Sequence, residues 1–145
     1  MGTARGCTFP DDLWYNVEDN IWGRQESDGT VTIGMTGYAV SLAGQIVAYT
    51  PKKAGKEVKQ GKSAATVESG KWVGPAKSLV SGEIAATNPA LAANPGLINS
   101  DPYGQGWLVR IKPSDWAGES AVLLQGQAAL DAFEKKMEAD GYGGC

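Results

Sequence analysis

Histidine is missing from all 145 residues. That removes the commonest general base and the commonest metal ligand together. Neither a Ser-His nor a Cys-His nucleophile can be assembled. The two cysteines, Cys7 and Cys145, are too few for a structural zinc site within one chain. Hydrolase and metalloenzyme readings fall far down the order, and no catalytic residue and no metal ligand is assigned. Long apolar runs are missing too: none approaches the roughly 18 residues of a membrane span. The opening Met1-Gly2-Thr3-Ala4-Arg5-Gly6-Cys7 has no apolar core of a secretory signal. Gly6 also stands where an N-myristoylation site wants Ser or Thr. Positive charge is scarce: 13 Lys and Arg face 16 Asp and Glu, a formal net charge of −3, with both signs scattered. A nucleic-acid binder would present a basic stripe instead. The expectation is a soluble, cytoplasmic protein with no nucleic-acid partner and no membrane insertion.

What is present is a succession of short β-forming runs punctuated by glycine and proline, the pattern of a sandwich or small barrel. Strands are expected over residues 21–25 and 30–34, with Ser27-Asp28-Gly29 as the turn between them. Thr36 is placed to cap a short helix that Gly44 stops. Further strands are expected over 45–50, 63–68, 72–76, 81–87 and 107–111. Asn88-Pro89 opens a second short helix, with Asn as cap and Pro in its first turn. Beyond Trp116 the character changes. Leu123, Leu130, Phe133 and Met137 recur on one face at helical spacing, and Asp131 and Lys135 stand four apart. Residues 1–116 are therefore read as the main domain, and 117–145 as a helical extension packed on it, ending in a loose tail from Gly141.

The stretch that carries chemistry is Val67-Glu68-Ser69-Gly70-Lys71-Trp72-Val73. It puts a lysine at a hairpin tip, between β-forming residues, with Gly70 supplying backbone freedom. Such a lysine is accessible to a modifying enzyme and is a fixed base for an attached arm. An exposed lysine in a turn is commonplace by itself; the surroundings give it weight.

The stretch from about Trp22 to Asp115 resembles the H protein of the glycine cleavage system, the lipoate-bearing subunit. The matching segments are Ile33-Gly34-Met35-Thr36-Gly37-Tyr38-Ala39, Leu42-Ala43-Gly44-Gln45-Ile46-Val47, Val67-Glu68-Ser69-Gly70-Lys71 and Ser81-Gly82-Glu83-Ile84. Most specific are Asn88-Pro89-Ala90-Leu91 and the run from Leu97-Ile98-Asn99 through Asp101-Pro102-Tyr103-Gly104-Gln105-Gly106-Trp107-Leu108. The resemblance implies a mainly β, barrel-sandwich hybrid, lipoyl-domain-like, with short flanking helices. It also implies lipoate attached covalently to Lys71 as N6-lipoyllysine. Such a chain is a carrier rather than an enzyme: the cofactor holds the reactive disulfide, and the protein contributes position and recognition.

The sequence departs from the family around that lysine. Trp72-Val73-Gly74 stands where H proteins usually have Ala-Ala-Ser, Gly70 replaces Val, and Asn20-Ile21-Trp22 lacks the usual histidine. The typical H protein also lacks an extension from Trp116 to Cys145. In these respects the chain looks more like the H-like lipoate-binding proteins of sulfur-oxidising prokaryotes. There the arm holds sulfur intermediates and works with a heterodisulfide-reductase-like complex. The alternative is an H protein carrying an aminomethyl group between glycine decarboxylase and aminomethyltransferase. A third reading is an unmodified scaffold or interaction domain. Partners implied on the carrier readings are a lipoate ligase or lipoyl transferase, and dihydrolipoamide dehydrogenase. A biotin carrier would flank the lysine with methionines rather than Gly70 and Trp72.

Several residues keep two readings. Glu68 either orients the arm or is a solvated strand-end charge. Trp72 either shelters the dithiolane ring or packs across the hairpin. Lys52, Lys53, Lys56, Lys59 and Lys62 form a basic run, read first as a solvated loop face. Trp14, Trp22, Trp107 and Trp116 are assigned to the core and its edge. Cys7 and Cys145, in terminal segments expected to be mobile, are read first as free thiols and second as redox partners of the lipoyl disulfide. A bridge between them requires Cα atoms within about 7 Å, a condition on the fold.

Overall fold

The computed structural model describes residues 2–145. Its strands are β1 (Gly2–Ala4), β2 (Cys7–Phe9), β3 (Trp14–Asn16), β4 (Ile21–Gln25), β5 (Val31–Met35), β6 (Ile46–Pro51), β7 (Glu57–Val58), β8 (Ser63–Ser69), β9 (Val73–Lys77), β10 (Gly82–Thr87) and β11 (Val109–Pro113). Helices α1 (Gly37–Ala43), α2 (Pro89–Ala93), α3 (Leu97–Ser100), α4 (Trp116–Glu119) and α5 (Gly126–Asp140) sit between and after them. The strands form a six-stranded sheet in the order β3-β4-β5-β11-β10-β7, a three-stranded sheet β6-β8-β9, and the hairpin β1-β2. Every pairing is antiparallel. The fold is the expected mainly β barrel-sandwich hybrid, with open sheets rather than one closed barrel.

Alternation places the core. Along β8 the inward positions Ala65, Val67 and Ser69 are buried, while Thr66 and Glu68 face out. Ile33, Val67, Ile84, Leu108, Val109 and Ile111 meet in one large cluster to which both main sheets contribute. Local signals hold where they were specific. The Thr36 hydroxyl accepts from the Ala39 N–H at 3.1 Å, and the Asn88 side chain accepts from the Ala90 N–H at 3.1 Å. Both satisfy helix N–H groups that lack an intrahelical acceptor. The last strand begins two residues later than expected, at Val109.

The C-terminal helix α5 buries Ala129, Phe133 and Met137. Phe133 stacks on Phe9 with ring centroids 4.3 Å apart and meets Tyr15 edge-on at 5.5 Å. Asp131 accepts from Gln127, one turn before it, at 2.8 Å, rather than pairing with Lys135 one turn after it.

The tail is docked, not loose. Arg5 Nη1 donates to the Tyr142 carbonyl at 2.8 Å, and the Cys145 N–H donates to the Arg5 carbonyl at 2.9 Å. The reading of Cys7 and Cys145 as free thiols is corrected with it: they form a disulfide with Cα atoms 5.0 Å apart. The β1–β2 hairpin and the turn after α5 bring together two ends that are 138 residues apart in sequence.

Candidate functional site

Strands β8 and β9 pair from Ser63↔Lys77 to Glu68↔Val73. Beyond that register the Ser69 N–H donates to the Trp72 carbonyl at 2.7 Å, leaving Gly70 and Lys71 as a two-residue tip. The Ser69 hydroxyl accepts from the Lys71 N–H at 3.3 Å and fixes the turn from inside. Gly70 does not supply the backbone freedom expected of it. Its φ lies outside the left-handed region, and a Cβ there would meet nothing within 4 Å.

Lys71 is exposed and forms no ion pair among the described residues. Lys77 lies 3.7 Å from Asp19 and Lys112 lies 4.0 Å from Glu83. The aliphatic stem of Lys71 rests over Gly44, the residue closing α1, where a Cβ would lie 3.0 Å from Lys71 Cε. Gly44 has φ 83° and ψ −170°, a conformation essentially reserved for glycine. Asn99 locks the same corner, donating from Nδ2 to the Gly44 carbonyl at 2.9 Å and accepting from the Ile46 N–H at 2.8 Å. Sequence reasoning gave Gly44 only the role of stopping α1 and did not single out Asn99, although both lie in the motifs quoted above.

Beside the tip opens a cleft of about 240 Å³, walled by Ile21, Met35, Ala39, Leu42, Trp72 and Ala76, with Asp19 and Asn20 at one side. That is below the roughly 300 Å³ at which small-ligand sites begin. The Trp72 ring lies against Gly74, where any Cβ would collide with it. Trp72 thus forms a wall of the cleft while staying 38% exposed. Around Lys71, Leu42, Val47 and Val73 are also exposed, Val47 standing out at a bulge in the β6–β8 pairing. Glu68 faces outward on β8 beside them. The basic run Lys52, Lys53, Lys56, Lys59 and Lys62 is exposed.

The other end of α1 is held by Tyr103, whose hydroxyl accepts from the Gly37 N–H at 2.9 Å and donates to the Thr8 carbonyl at 2.7 Å. Burial pushes that phenol well up from its ordinary value, so it stays a neutral donor. Trp22 is fully buried and donates to the Pro102 carbonyl at 3.0 Å. Trp14 and Trp116 meet edge-on, and Trp107 lies under Arg110. All four serve the core or its edge.

A β-hairpin that presents one lysine beside an apolar cleft is an arrangement that a swinging-arm carrier needs. The comparisons place it more narrowly. Residues 13–136 match the family model of the glycine cleavage H-protein, and the chain belongs to that family. The chain is 45% identical to glycine cleavage system H protein 5 of Aquifex aeolicus (strain VF5), over 97% of both chains. It is 39% identical to a probable glycine cleavage system H protein 2 of Saccharolobus solfataricus, over 97% of this chain and 95% of that one. The crystal structure of a glycine cleavage system H protein from Mycobacterium marinum superposes with a TM-score of 0.74 at 29% identity, covering 92% of this chain and 99% of that one. The match runs through residue 136 and so takes in most of α5.

Lipoate held covalently on a lysine is the cofactor of this family. The residues here fit it. An amine is exposed at the tip, Gly44 leaves room for its stem, and an apolar cleft begins one residue away. When bound, the group supplies a dithiolane that takes up and releases electrons or cargo. The hairpin tip would hold its base, and the cleft beside the tip would receive its ring.

Proposed function

We propose that this chain is a non-enzymatic lipoyl carrier whose arm is attached to Lys71, and that the cargo is sulfur rather than an aminomethyl group. The observation that carries the attachment is the two-residue tip: Lys71 is the exposed lysine of that tip, with its stem seated on Gly44. The exposed apolar rim of Leu42, Val47, Trp72 and Val73 suits docking to an enzyme partner. A heterodisulfide-reductase-like complex is the partner we assign, with a lipoate ligase or lipoyl transferase loading the arm.

One observation favours sulfur cargo. Trp72 against Gly74 gives the cleft a wall that small residues after the lysine could not build. One observation favours the aminomethyl reading: the Asp19 carboxylate beside the cleft could meet a cationic amine, although Lys77 already sits 3.7 Å from it.

The test loads the lipoylated protein in two ways, with glycine and glycine decarboxylase, and with a sulfane-sulfur donor after reduction of the arm. Mass spectrometry of the Lys71 peptide should find the lipoyl increment, lost in Lys71→Arg, and sulfur adducts without aminomethyl loading. A lipoyl group on Lys62 or Lys77 would sink the attachment. Aminomethyl loading as complete as that of a glycine-cleaving H protein would sink the cargo.

A further inference from the structure

The Cys7–Cys145 disulfide lies on the far side of the helix that seats Lys71. A second cleft, of about 460 Å³, is lined there by Cys7, Cys145, Gly37, Ser41, Asn99 and Tyr103. Helix α1 is the wall between the two clefts: Ala39, Leu42 and Ala43 face the first, and Gly37, Val40 and Ser41 face the second. Cys145 Sγ is 3.9 Å from the Gly37 carbonyl at one end of α1, and Lys71 lies over Gly44 at the other. We infer that this disulfide is a second redox centre, which exchanges two electrons with the lipoyl dithiol on Lys71 of the same chain. The inference rests on the assignment of the arm to Lys71.

The two lengths are comparable. Seven residues separate Gly37 from Gly44, about 10 Å at a helical rise of about 1.5 Å per residue. From Lys71 Nζ to the nearer sulfur of an amide-linked lipoyl group is about seven bonds, or about 9 Å extended, from ordinary bond lengths. The flexible lysine stem supplies the remainder. An arm pivoting over the C-terminal end of α1 can therefore fall to either side of that helix.

The two sulfurs are unequal. Cys7 is 1% exposed, whereas Cys145 is exposed, so attack falls on Cys145 Sγ. Tyr142 Oη donates towards that sulfur at 3.6 Å and stabilises it as the thiolate expelled in the second step below. In the first step a thiolate of the reduced arm bonds to Cys145 Sγ. The Cys7–Cys145 bond breaks, and its electron pair leaves on Cys7, which takes up the proton the arm released. In the second step the other arm thiolate attacks its sulfur neighbour on the arm, closing the five-membered ring and expelling the Cys145 thiolate. That thiolate takes up the second proton. The arm is oxidised by two electrons, the cystine is reduced to two thiols, and no further reactant is consumed. Because both partners share one chain, the exchange does not depend on protein concentration.

The experiment uses native lipoylated protein. Its arm is reduced under nitrogen with NADH and dihydrolipoamide dehydrogenase, free thiols are capped with N-ethylmaleimide, and peptides are weighed. We expect Cys7 and Cys145 to be capped at least tenfold more in the lipoylated protein than in Lys71→Arg, at a rate unchanged by tenfold dilution. A capped arm beside an intact cystine, or equal capping in Lys71→Arg, overturns the inference while leaving the arm in place. A Lys71 peptide without lipoate overturns the attachment and this inference together. A second variant is independent of the first. In Cys7→Ser the lone Cys145 thiol should open the ring of the oxidised arm, and capping the arm thiol so released with N-ethylmaleimide should hold the mixed disulfide, detected as one cross-linked pair of peptides. Its absence from a folded Cys7→Ser protein counts against the inference.

Discussion

At the scale of single residues, the carrier site depends on side chains that are small as much as on the lysine itself. Gly44 combines a glycine-only backbone conformation with direct contact to the Lys71 stem. Gly44→Ala should cost about 1–3 kcal/mol through backbone strain, measured by urea unfolding. It should also displace the Lys71 stem, whose Cε would lie 3.0 Å from the new methyl. Unchanged stability would mean that the α1 terminus relaxes freely around the new methyl. Gly70 is the contrast, since it needs neither positive φ nor space. Gly70→Val, which restores the family's usual residue, should leave stability within about 0.5 kcal/mol, as for surface changes away from special features. A loss well beyond that range would show that the tip is more confined than its open surroundings indicate.

At the scale of elements, α1 and α5 do different work. Helix α1 is short but pinned at both ends, by Thr36 and Tyr103 at its start and by Asn99 at its close. It is therefore a firm partition between the two clefts. Helix α5 is held by its buried face of Ala129, Phe133 and Met137, in which Phe133 is the aromatic anchor. Phe133 is fully buried between Phe9 and Tyr15, so Phe133→Ala should destabilise the protein by about 3–5 kcal/mol. Thermal or denaturant unfolding checks this, and an unchanged midpoint would mean that α5 is not docked in solution. The helical face of Leu130, Phe133 and Met137 was legible from spacing alone. What that face covers was not, because the β1–β2 hairpin beneath it is made of two three-residue strands with no periodic signal.

At the scale of the molecule, one covalent bond closes nearly the whole chain. Cys7 and Cys145 are 138 residues apart, so their disulfide constrains the unfolded chain about as much as a single bridge in this protein could. Cys145→Ser should lower stability by about 2–5 kcal/mol, read as a shift in the denaturant midpoint. The same loss should follow on reducing the unsubstituted protein, and reduction should leave Cys145→Ser unaffected. Equal stability of the oxidised and reduced forms would mean that the tail is held by its hydrogen bonds and by Tyr142 packing alone.

The sequence by itself determined the alternating strands, the two helix caps at Thr36 and Asn88, the amphipathic face of α5 and the lysine in a tight turn. Each is a local consequence of side-chain period, capping chemistry or turn geometry, which act over a few residues. Only the tertiary structure decided what surrounds that lysine. Gly44 lies 27 positions before Lys71 in the chain, and its closeness follows from the pairing of β6 with β8. The disulfide likewise depends on how the β1–β2 hairpin and the turn after α5 place two remote backbones 5.0 Å apart. Such long-range proximities are set by sheet order and core packing, which no short window of sequence contains.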